Sequence, residues 1–593
     1  MIPEVQNPIE KYTSCLKRCE QEVKDCEAKE GKFGFFRLVI FIALIIFLVM
    51  KIMWGLAVCV LAFLAMIHFH EKLKRRREEA KRAVAFYRLG LDRINDAWSG
   101  KGDGEDPLPD KQHLYADDLD LFGTGSIFEL INICRTHLGK ESLAHIFKNT
   151  VNAKEIVERQ EAVKELAPRV ELRERTARLE DRLGESKFTA FETWTTLPRM
   201  FFPKHLLIGA LLALFAVVGV LLMIYVEQGF IKLTLFVAIF GQYLFSRKMR
   251  PVYEKLTLSL DRFHKQLKLL VALMKEYEKE TFDSKKMSAL QADLKSETGF
   301  ASQQFKKLDF WVAFMDHCMR NQFVILFAML LQLNVLVLYY IDKWRCENGS
   351  HVLTWLKALG ECEAMTALSA YAYENPDNIF PNIKNKEELL FEAKDLGHPL
   401  LPKNECVRND IEMNQQTRLL IVSGSNMAGK STFLRTIGCN GVLAYTGAPV
   451  RAKELTISPM AFGMTLKIQD SLQDGQSRFY SEIDRIRRIR DLMDGDFPVM
   501  FVLDELLSGT NSHERLIGSE ALLRQFLKKH SLGLVTTHDL ALTDLGKSLD
   551  QAKNIYLAEK WSEGKPDFEY KIYEGVQKQG NALQWMRALG LDV

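Results

Sequence analysis

Two long apolar blocks limit what this chain can fold into. Leu38 to Phe69 is almost continuously apolar apart from Lys51, and a second block runs from Leu206 to Phe245 with Glu227, Gln228, Gly229 and Lys232 in its middle. In hydrocarbon every backbone N–H and C=O must be satisfied within the segment or its partners, which leaves the helix as the form for such runs. A spanning helix needs about 20 apolar residues. Leu206 to Tyr225 supplies them, whereas the first block suits two short spans better than one straight helix. Basic residues flank both blocks: Lys24, Lys29, Lys32 and Arg37 before the first and Lys72, Lys74, Arg75, Arg76, Arg77, Lys81 and Arg82 after it; Lys204 before the second and Arg247, Lys248 and Arg250 after it. Positive charge marks the cytoplasmic side. Each block therefore reads as a hairpin with both ends in the cytoplasm, turning near Lys51 and at Glu227 to Gly229, with Arg37 and Lys232 snorkelling at the shorter ends.

A third apolar stretch, Phe323 to Tyr340, contains Gln332 and Asn334. A further span here would put residues 71–200 and those after 343 on opposite sides, so the stretch reads as a buried core helix: four spans in all, with five as the alternative. The first apolar run starts only at Leu38 and no small-residue cleavage site follows it, so no cleavable signal peptide is expected. The expectation is an integral membrane protein, in a prokaryotic plasma membrane, with its soluble parts in the cytoplasm.

A length of 593 residues suggests three to five structural units. Lys plus Arg (79) nearly balances Asp plus Glu (76), so the net charge of +3 gives no footprint of a dedicated nucleic-acid binder. Contact with DNA would need a local patch. The run Lys72 to Arg82 is one, although directly after a span it is most simply a topology signal, and anionic lipid is its other candidate ligand. The ten cysteines include no Cys-x-x-Cys pair, which argues against a zinc ribbon or a thioredoxin site. Cys15, Cys19 and Cys26 would share one face of a helix over residues 8–30, as a thiol or metal cluster or, more simply, as reduced thiols. Amphipathic periodicity predicts helices over Lys154 to Leu183 and Tyr253 to Lys295, and Lys101 to Lys111 reads as a linker.

The chemistry is concentrated near the C-terminus. The apolar run Leu419, Leu420, Ile421, Val422 reads as a buried strand that leads into Gly424, Ser425, Asn426, Met427, Ala428, Gly429, Lys430, Ser431 and Thr432, and then into a helix. This is a phosphate-binding loop. Its glycines let backbone N–H groups face a polyphosphate, Lys430 reaches the outer phosphates, and Ser431 can ligate magnesium. A second buried strand, Val499 to Leu503, ends in Asp504 and Glu505. An acid there suits the magnesium shell, and the next carboxylate is placed to orient or deprotonate the attacking water. A third strand, Gly533 to Thr537, closes with His538 and Asp539, which puts His538 where ligands bind in such sheets, as a candidate sensor of the terminal phosphate. ATP and Mg2+ are the cofactors this set implies, with Lys430, Glu505 and His538 as candidate catalytic groups and Ser431 and Asp504 as candidate metal ligands.

These residues resemble the ABC-type ATPase of the MutS mismatch-repair family, and specifically its membrane-bound MutS-related branch. Ser425 to Thr432 is similar to that family's Asn-Met-x-Gly-Lys-Ser-Thr loop, and Leu443 to Val450 to the segment after it. Asp474-Gly475-Gln476-Ser477-Arg478-Phe479-Tyr480-Ser481-Glu482 resembles its signature segment. Leu503-Asp504-Glu505 with Ser508 to Ser512 is similar to its magnesium strand and dimer loop, and Thr537-His538-Asp539 to its switch histidine. Upstream, Tyr115 to Phe128, Arg135-Thr136 with Gly139, and Arg159 to Val163 resemble its helical core and lever, while Gly397-His398-Pro399-Leu400 and Arg408-Asn409-Asp410 resemble the approach to its ATPase, where adenine is also contacted. The resemblance covers about 110–200 and 250–593.

The resemblance implies a homodimer with composite ATP sites, each completed by Ser477 of the other subunit. It implies a C-terminal α/β P-loop ATPase domain of the ABC/MutS type, preceded by an all-α core and lever domain that two transmembrane helical hairpins interrupt. The expected organisation is an N-terminal helical segment (1–37), hairpin 1 (38–70), a basic stalk and linker (71–110), a helical core (111–200), hairpin 2 (205–246), a helical lever (250–360) and the ATPase domain (361–593). Two departures stand out: the Gly-x-Phe-Tyr-Glu mismatch-reading motif is not found, and Arg478 stands where repair proteins often carry Thr. The expected function is a membrane-anchored ATPase, with double-stranded or mismatched DNA as a candidate partner; the alternative is an ATP-driven membrane transducer or scaffold without a DNA role, acting on an unidentified protein.

Overall fold

The computed structural model describes residues 7–179, 189–225, 229–320, 322–425, 428–467, 478–507, 509–538, 540–562 and 565–576. Its N-terminal half is helical. Helix α1 (Pro8–Val49) and α2 (Met53–Ile94) pair as two antiparallel rods, and the chain reverses over Met50 to Ile52 with Lys51 in a left-handed conformation (φ 56°). At about 1.5 Å per residue each rod is roughly 60 Å long. Their connected ends are apolar outside: Phe35, Phe36, Leu48, Trp54 and Leu61 are exposed. Their open ends pack instead. There Tyr12, Cys15, Cys19, Ala83, Phe86 and Tyr87 form a small core with Val170 and Tyr373, so the cysteines fill a helix interface, and no cluster suited to a metal occurs among the described residues.

After α2 come α3 (Ile127–Ile131), α4 (His137–Lys148), α5 (Ala153–Leu166), α6 (Val170–Arg178) and α7 (Thr189–Thr195). The sequence predicts one helix over 154–183; the structure breaks it between α5 and α6 around Pro168, which can neither donate an N–H nor avoid the preceding turn. Helix α8 (Pro203–Tyr225) lies along the first part of α9 (Gly229–Lys279), with Gly219 against Leu235 and Gly241 against Leu212. Of the turn expected at Glu227 to Gly229, Glu227 and Gln228 lie outside the described residues. Helix α9 continues well past the apolar block, and the helix expected over 253–295 is divided between it and α10 (Lys285–Asp293). A two-residue pair, β1 (Lys295–Ser296) and β2 (Gly299–Phe300), leads into α11 (Ala301–Arg320).

The stretch 323–340 departs from the expected buried helix. It is split into α12 (Gln322–Leu330) and the start of α13 (Leu333–Glu374), which meet at 78° with Gln332 left-handed (φ 52°) at the corner. Val335, Val337 and Leu338 are buried, but Leu326, Phe327 and Met329 of α12 are exposed. By length and composition, three described helices (α1, α2 and α8) could cross a membrane, or up to four with the bent pair counted as one. Helix α13 runs unbroken to Glu374, so the helical region extends beyond residue 360.

The C-terminal half is α/β. Strands β3 (Asn382–Ile383), β4 (Phe391–Leu396), β5 (Asn409–Met413) and, later, β7 (Glu454–Ile457) form a small sheet in the order β3-β7-β4-β5. The main sheet contains β6 (Leu419–Ser423), β8 (Ala461–Thr465), β9 (Val499–Leu503), β10 (Ser531–Thr537), β11 (Ala552–Ser562) and β12 (Lys565–Glu574), in the order β12-β11-β6-β10-β9-β8. All neighbours are parallel except β11 and β12. Every residue of β6, β9 and β10 is buried, and the apolar runs Leu419 to Val422 and Val499 to Leu503 suit strands covered on both faces. Helices α14 (Lys430–Thr446), α15 (Arg478–Leu492), α16 (Ser512–Leu527), α17 (Leu540–Thr543) and α18 (Leu545–Ser548) complete the domain. Gly533 is required by packing: a Cβ there would lie 1.9 Å from the Phe501 ring.

The halves share one core. Leu420, Val422, Met500 and Val502, on one face of the main sheet, belong to the same apolar cluster as Leu119, Phe147, Leu270 and Leu359 of the helical half. Leu419, Ile421, Phe501 and Val535, on the other face, pack with Ile486 and Phe526 in a separate cluster. Polar ties reinforce the joint. Buried Arg159 of α5 donates to the Tyr445 carbonyl at the end of α14 (3.2 Å), and Gln160 to the Pro381 carbonyl (3.0 Å). Glu374, at the last turn of α13, accepts two hydrogen bonds from Arg93 of α2 (2.6 Å each) and one from Tyr12 of α1 (3.2 Å). Arg93→Ala should leave this buried carboxylate without its cation at a cost of about 3–5 kcal/mol. The expected readout is a thermal midpoint several degrees lower in detergent, with faster proteolytic release of the paired α1 and α2; an unchanged midpoint would count against this joint.

Candidate active site

Three adjacent parallel strands, β6, β10 and β9, end side by side, and the candidate groups extend from their carboxyl ends, where ligands bind in sheets of this kind. After β6 the chain turns through Gly424 (φ 149°) and reaches Gly429 (φ 92°), left-handed and immediately before α14, a conformation glycine adopts without a Cβ penalty. Lys430 opens the helix and is buried; its Nζ donates to the carbonyls of Gly424 (2.6 Å) and Ser425 (3.0 Å) and lies 3.0 Å from His538 Nε2. Ser425 Oγ is buried without a partner among the described residues. Asn426, Met427, Ser477, Ser508 and Asp539 lie outside the described residues.

At the end of β9, Asp504 accepts a hydrogen bond from Ser431 Oγ (2.9 Å) through Oδ2, and its Oδ1 accepts one from Thr536 Oγ1 of β10. Thr536 Oγ1 also accepts from the Glu505 N–H (2.9 Å). Glu505 (φ 50°) and Leu507 (φ 55°) are both left-handed, an uncommon backbone state for side-chain-bearing residues that persists where the surroundings hold it. One such hold is visible: the Leu507 N–H donates to buried Glu482 of α15 (2.6 Å). His538 Nε2 lies 2.9 Å from Glu505 Oε1, so Lys430, Glu505 and His538 form one contiguous polar set.

Some contributors carry no sequence signal of their own. Thr536 is one of two adjacent threonines at a strand end, and only the register of β10 against β9 assigns it the bridge. Tyr570 of β12 is left-handed (φ 52°) and lies over the loop, 2.8 Å from where a Cβ on Gly429 would be. Asn409 ties that strand down, donating to the Tyr570 carbonyl and accepting from the Ile572 N–H (3.0 Å each). His398 is buried and accepts from the Leu400 N–H through Nδ1 (3.2 Å). Burial, with Arg435 and Arg451 nearby, pushes its imidazole down to about 4 and so keeps it neutral.

The segment from Leu114 to Asp120 straps the helical half to this site. The Leu114 carbonyl accepts from the Met464 N–H (2.9 Å), and Arg435 of α14 pairs with Asp120 (3.0 Å). Fully buried Asp118 accepts from the Leu466 and Lys467 N–H groups (2.7 Å each) and pairs with Arg485 of α15. Burial raises its carboxyl above the usual range against the pull of Arg485. Asp118 therefore ties the chain just before 468–477, the stretch containing Ser477, to the helix that follows it.

Residues 420–591 match the family model described as MutS domain V. The DNA mismatch repair protein MutS of Geobacillus sp. (strain WCH70) is 29% identical over 235 residues, 38% of this chain and 26% of the relative. Its namesakes from Clostridium botulinum (strain Hall) and Thermotoga sp. (strain RQ2) are 28% identical over 254 residues and 27% identical over 252, covering 27% and 31% of those relatives. The chain thus spans only about a quarter to a third of the length of the curated relatives it matches. MutS domain V is an ABC-type ATPase domain, and that is what the C-terminal region carries. Thr536→Val, nearly isosteric, should leave Asp504 Oδ1 and the Glu505 N–H without their shared partner at about 1–3 kcal/mol. ATP turnover should fall roughly tenfold or more, with the thermal midpoint lowered by only a few degrees; wild-type turnover would show that the bridge does not set the site.

Proposed function

We propose that this protein is a membrane-anchored MutS-type ATPase that binds and hydrolyses Mg-ATP as a dimer and passes the resulting motion through its helical half to its apolar helices. The observation that carries the reading is the convergence of Lys430, the Ser431–Asp504 pair and the Glu505–His538 pair at the ends of three neighbouring strands. The loop cradles the phosphates with its backbone N–H groups, the partnerless Ser425 Oγ offers one more donor, and Lys430 neutralises the outer phosphate charge. Ser431 Oγ and Asp504 Oδ2 offer a hydroxyl and a carboxylate to a hard cation, and magnesium held there supplies charge neutralisation across the outer phosphates. Glu505 orients the attacking water and accepts its proton, while His538, bonded to Glu505, holds that carboxylate in place and reports the terminal phosphate to β10.

The dimer is supported by an apolar patch beside the site. Phe479, Tyr480 and Ile483 at the start of α15 are exposed, and Phe479 lies against Gly509 of the loop before α16. Those residues flank Ser477, which would complete the partner's site. The membrane anchor is supported by the exposed apolar faces of α1, α2 and α8, far more contiguous apolar surface than a soluble monomer keeps in water. The same hairpin bears on the DNA reading. Within the run Lys72 to Arg82, Arg76 pairs with Glu22 and Arg77 with Glu30 of α1, and Lys81 pairs with Glu78, so part of its charge is met within the hairpin. This favours the ATP-driven transducer over a duplex-binding surface at that run.

Steady-state hydrolysis by the detergent-purified protein, at two salt concentrations and with no DNA, matched duplex or mismatched duplex, is the direct test. Lys430→Ala should weaken nucleotide binding tenfold or more, and Glu505→Gln should keep binding but slow turnover by roughly 100-fold or more. Normal turnover by Glu505→Gln would remove its assignment as the base. Activity indifferent to DNA is expected, and salt-sensitive stimulation by duplex would instead put the protein with DNA-linked ATPases. Mixing Ser477→Ala with Lys430→Ala protein tests the composite site: dimers should carry one wholly disabled site and one intact site, so mixtures should recover activity that neither variant has alone. Mere averaging of the two activities would make the sites independent.

A further inference from the structure

Helix α12 and the corner at Gln332 have no part in the ATPase, yet they roof a cavity of about 1010 Å3 between α9 and the start of α13. Its lining changes character along its length. One end is cationic, with Arg247 and Arg250 of α9; the other is apolar, with Ile239, Leu326 and Met329. Amides lie between. Gln242 donates to the carbonyls of Leu212 (3.2 Å) and Leu330 (2.9 Å), which fixes the corner beside α9, and Asn334 Oδ1 is buried without a partner among the described residues. Gln242 precedes Arg247 by five residues, so the corner lies roughly 7 Å along α9 from the basic end, toward its apolar part.

Charge accounting narrows the ligand. Arg250 bonds Glu254 (2.9 Å), the one carboxylate in the lining, whereas Arg247 has no carboxylate partner among the described residues. The cavity is thus left with one uncompensated positive charge at one end, a lone buried acceptor between, and an open apolar slot at the other end. We propose that this cavity binds an anionic glycerophospholipid: the phosphate on Arg247, a headgroup or glycerol hydroxyl donating to Asn334 Oδ1, and an acyl chain along Ile239, Leu326 and Met329. The inference rests on the membrane reading above, which places the basic turn of α9 at the interface. An apolar peptide would match the slot but leave Arg247 unmet, and a soluble anion would leave the slot unfilled.

The test is the count of lipids retained by the purified full-length protein, read by native mass spectrometry after adding phosphatidylglycerol or phosphatidylcholine. Wild-type protein should prefer phosphatidylglycerol by about fivefold, the value of one interfacial charge. Arg247→Gln should lose that preference and Arg247→Lys should keep it. Ile239→Trp, at an exposed position that narrows the slot without changing charge, should reduce binding of both lipids, and Lys74→Gln in the first hairpin should change nothing. Equal binding of the two lipids by wild type, or an undiminished preference in Arg247→Gln, would overturn the site. Washing membranes with alkaline carbonate separates this from the broader reading: protein released by the wash would remove the membrane anchor and the site together, whereas protein that stays in the pellet but shows no Arg247-dependent preference would remove the site alone.

Discussion

Glu374 is the point on which the arrangement of the molecule depends. It is buried at the last turn of α13, where the helical half becomes the α/β half, and its charge is satisfied by Arg93 and Tyr12 from the two rods of the first pair. A carboxylate in such a place is tolerated only with its partners fully engaged. The open ends of α1 and α2 are therefore held to the end of α13, only a few residues before the small sheet begins at Asn382. The other end of α13 starts at the Gln332 corner, beside the apolar part of α9. One continuous helix of 42 residues thus joins the approach to the nucleotide domain to the most apolar region of the chain.

The candidate site was legible because its residues are contiguous with the strands that present them. Leu419 to Val422 and Val499 to Leu503 are apolar without interruption, and a strand buried on both faces leaves little choice about where Gly424, Asp504 and Glu505 project. The sequence contains no record of which strands are neighbours. Only the β6-β10-β9 order brings Thr536 between Asp504 and Glu505, and only the antiparallel return of β12 brings Tyr570 over Gly429. Asp118 was hidden for a related reason: it lies some 350 residues from the N–H groups it caps, in a segment that resembles loop. The helices were legible in type and less so in length. Pro168 broke one predicted helix, and the bend at 331–332 came from an apolar stretch whose period could not distinguish a straight core helix from a cornered one.

Strain and its supports are distributed in a consistent way around the site. Glu505 and Leu507 are left-handed on either side of Leu506, and the groups that hold them come from different elements, Thr536 from β10 and Glu482 from α15. A small displacement of α15 would therefore act on the backbone next to Glu505. Arg485 ties the same helix to Asp118 in the helical half. This gives a short physical route between the polar set at the strand ends and the region that Asp118 belongs to, made of two hydrogen-bonded links, Leu507 to Glu482 and Arg485 to Asp118, joined by one turn of α15.

The strap from Leu114 to Asp120 also separates two ideas of a domain. The stretch that matches the family model starts at the first strand of the main sheet, but the object that excludes water does not. Leu119 fills the space above Gly438, and the Leu114 carbonyl continues the hydrogen bonding at the end of β8. A fragment cut at that boundary would keep α14 on this face of the sheet but would leave the far side of the helix, where Leu119 and the helical half pack, exposed. For this chain the unit of resemblance is smaller than the unit of folding.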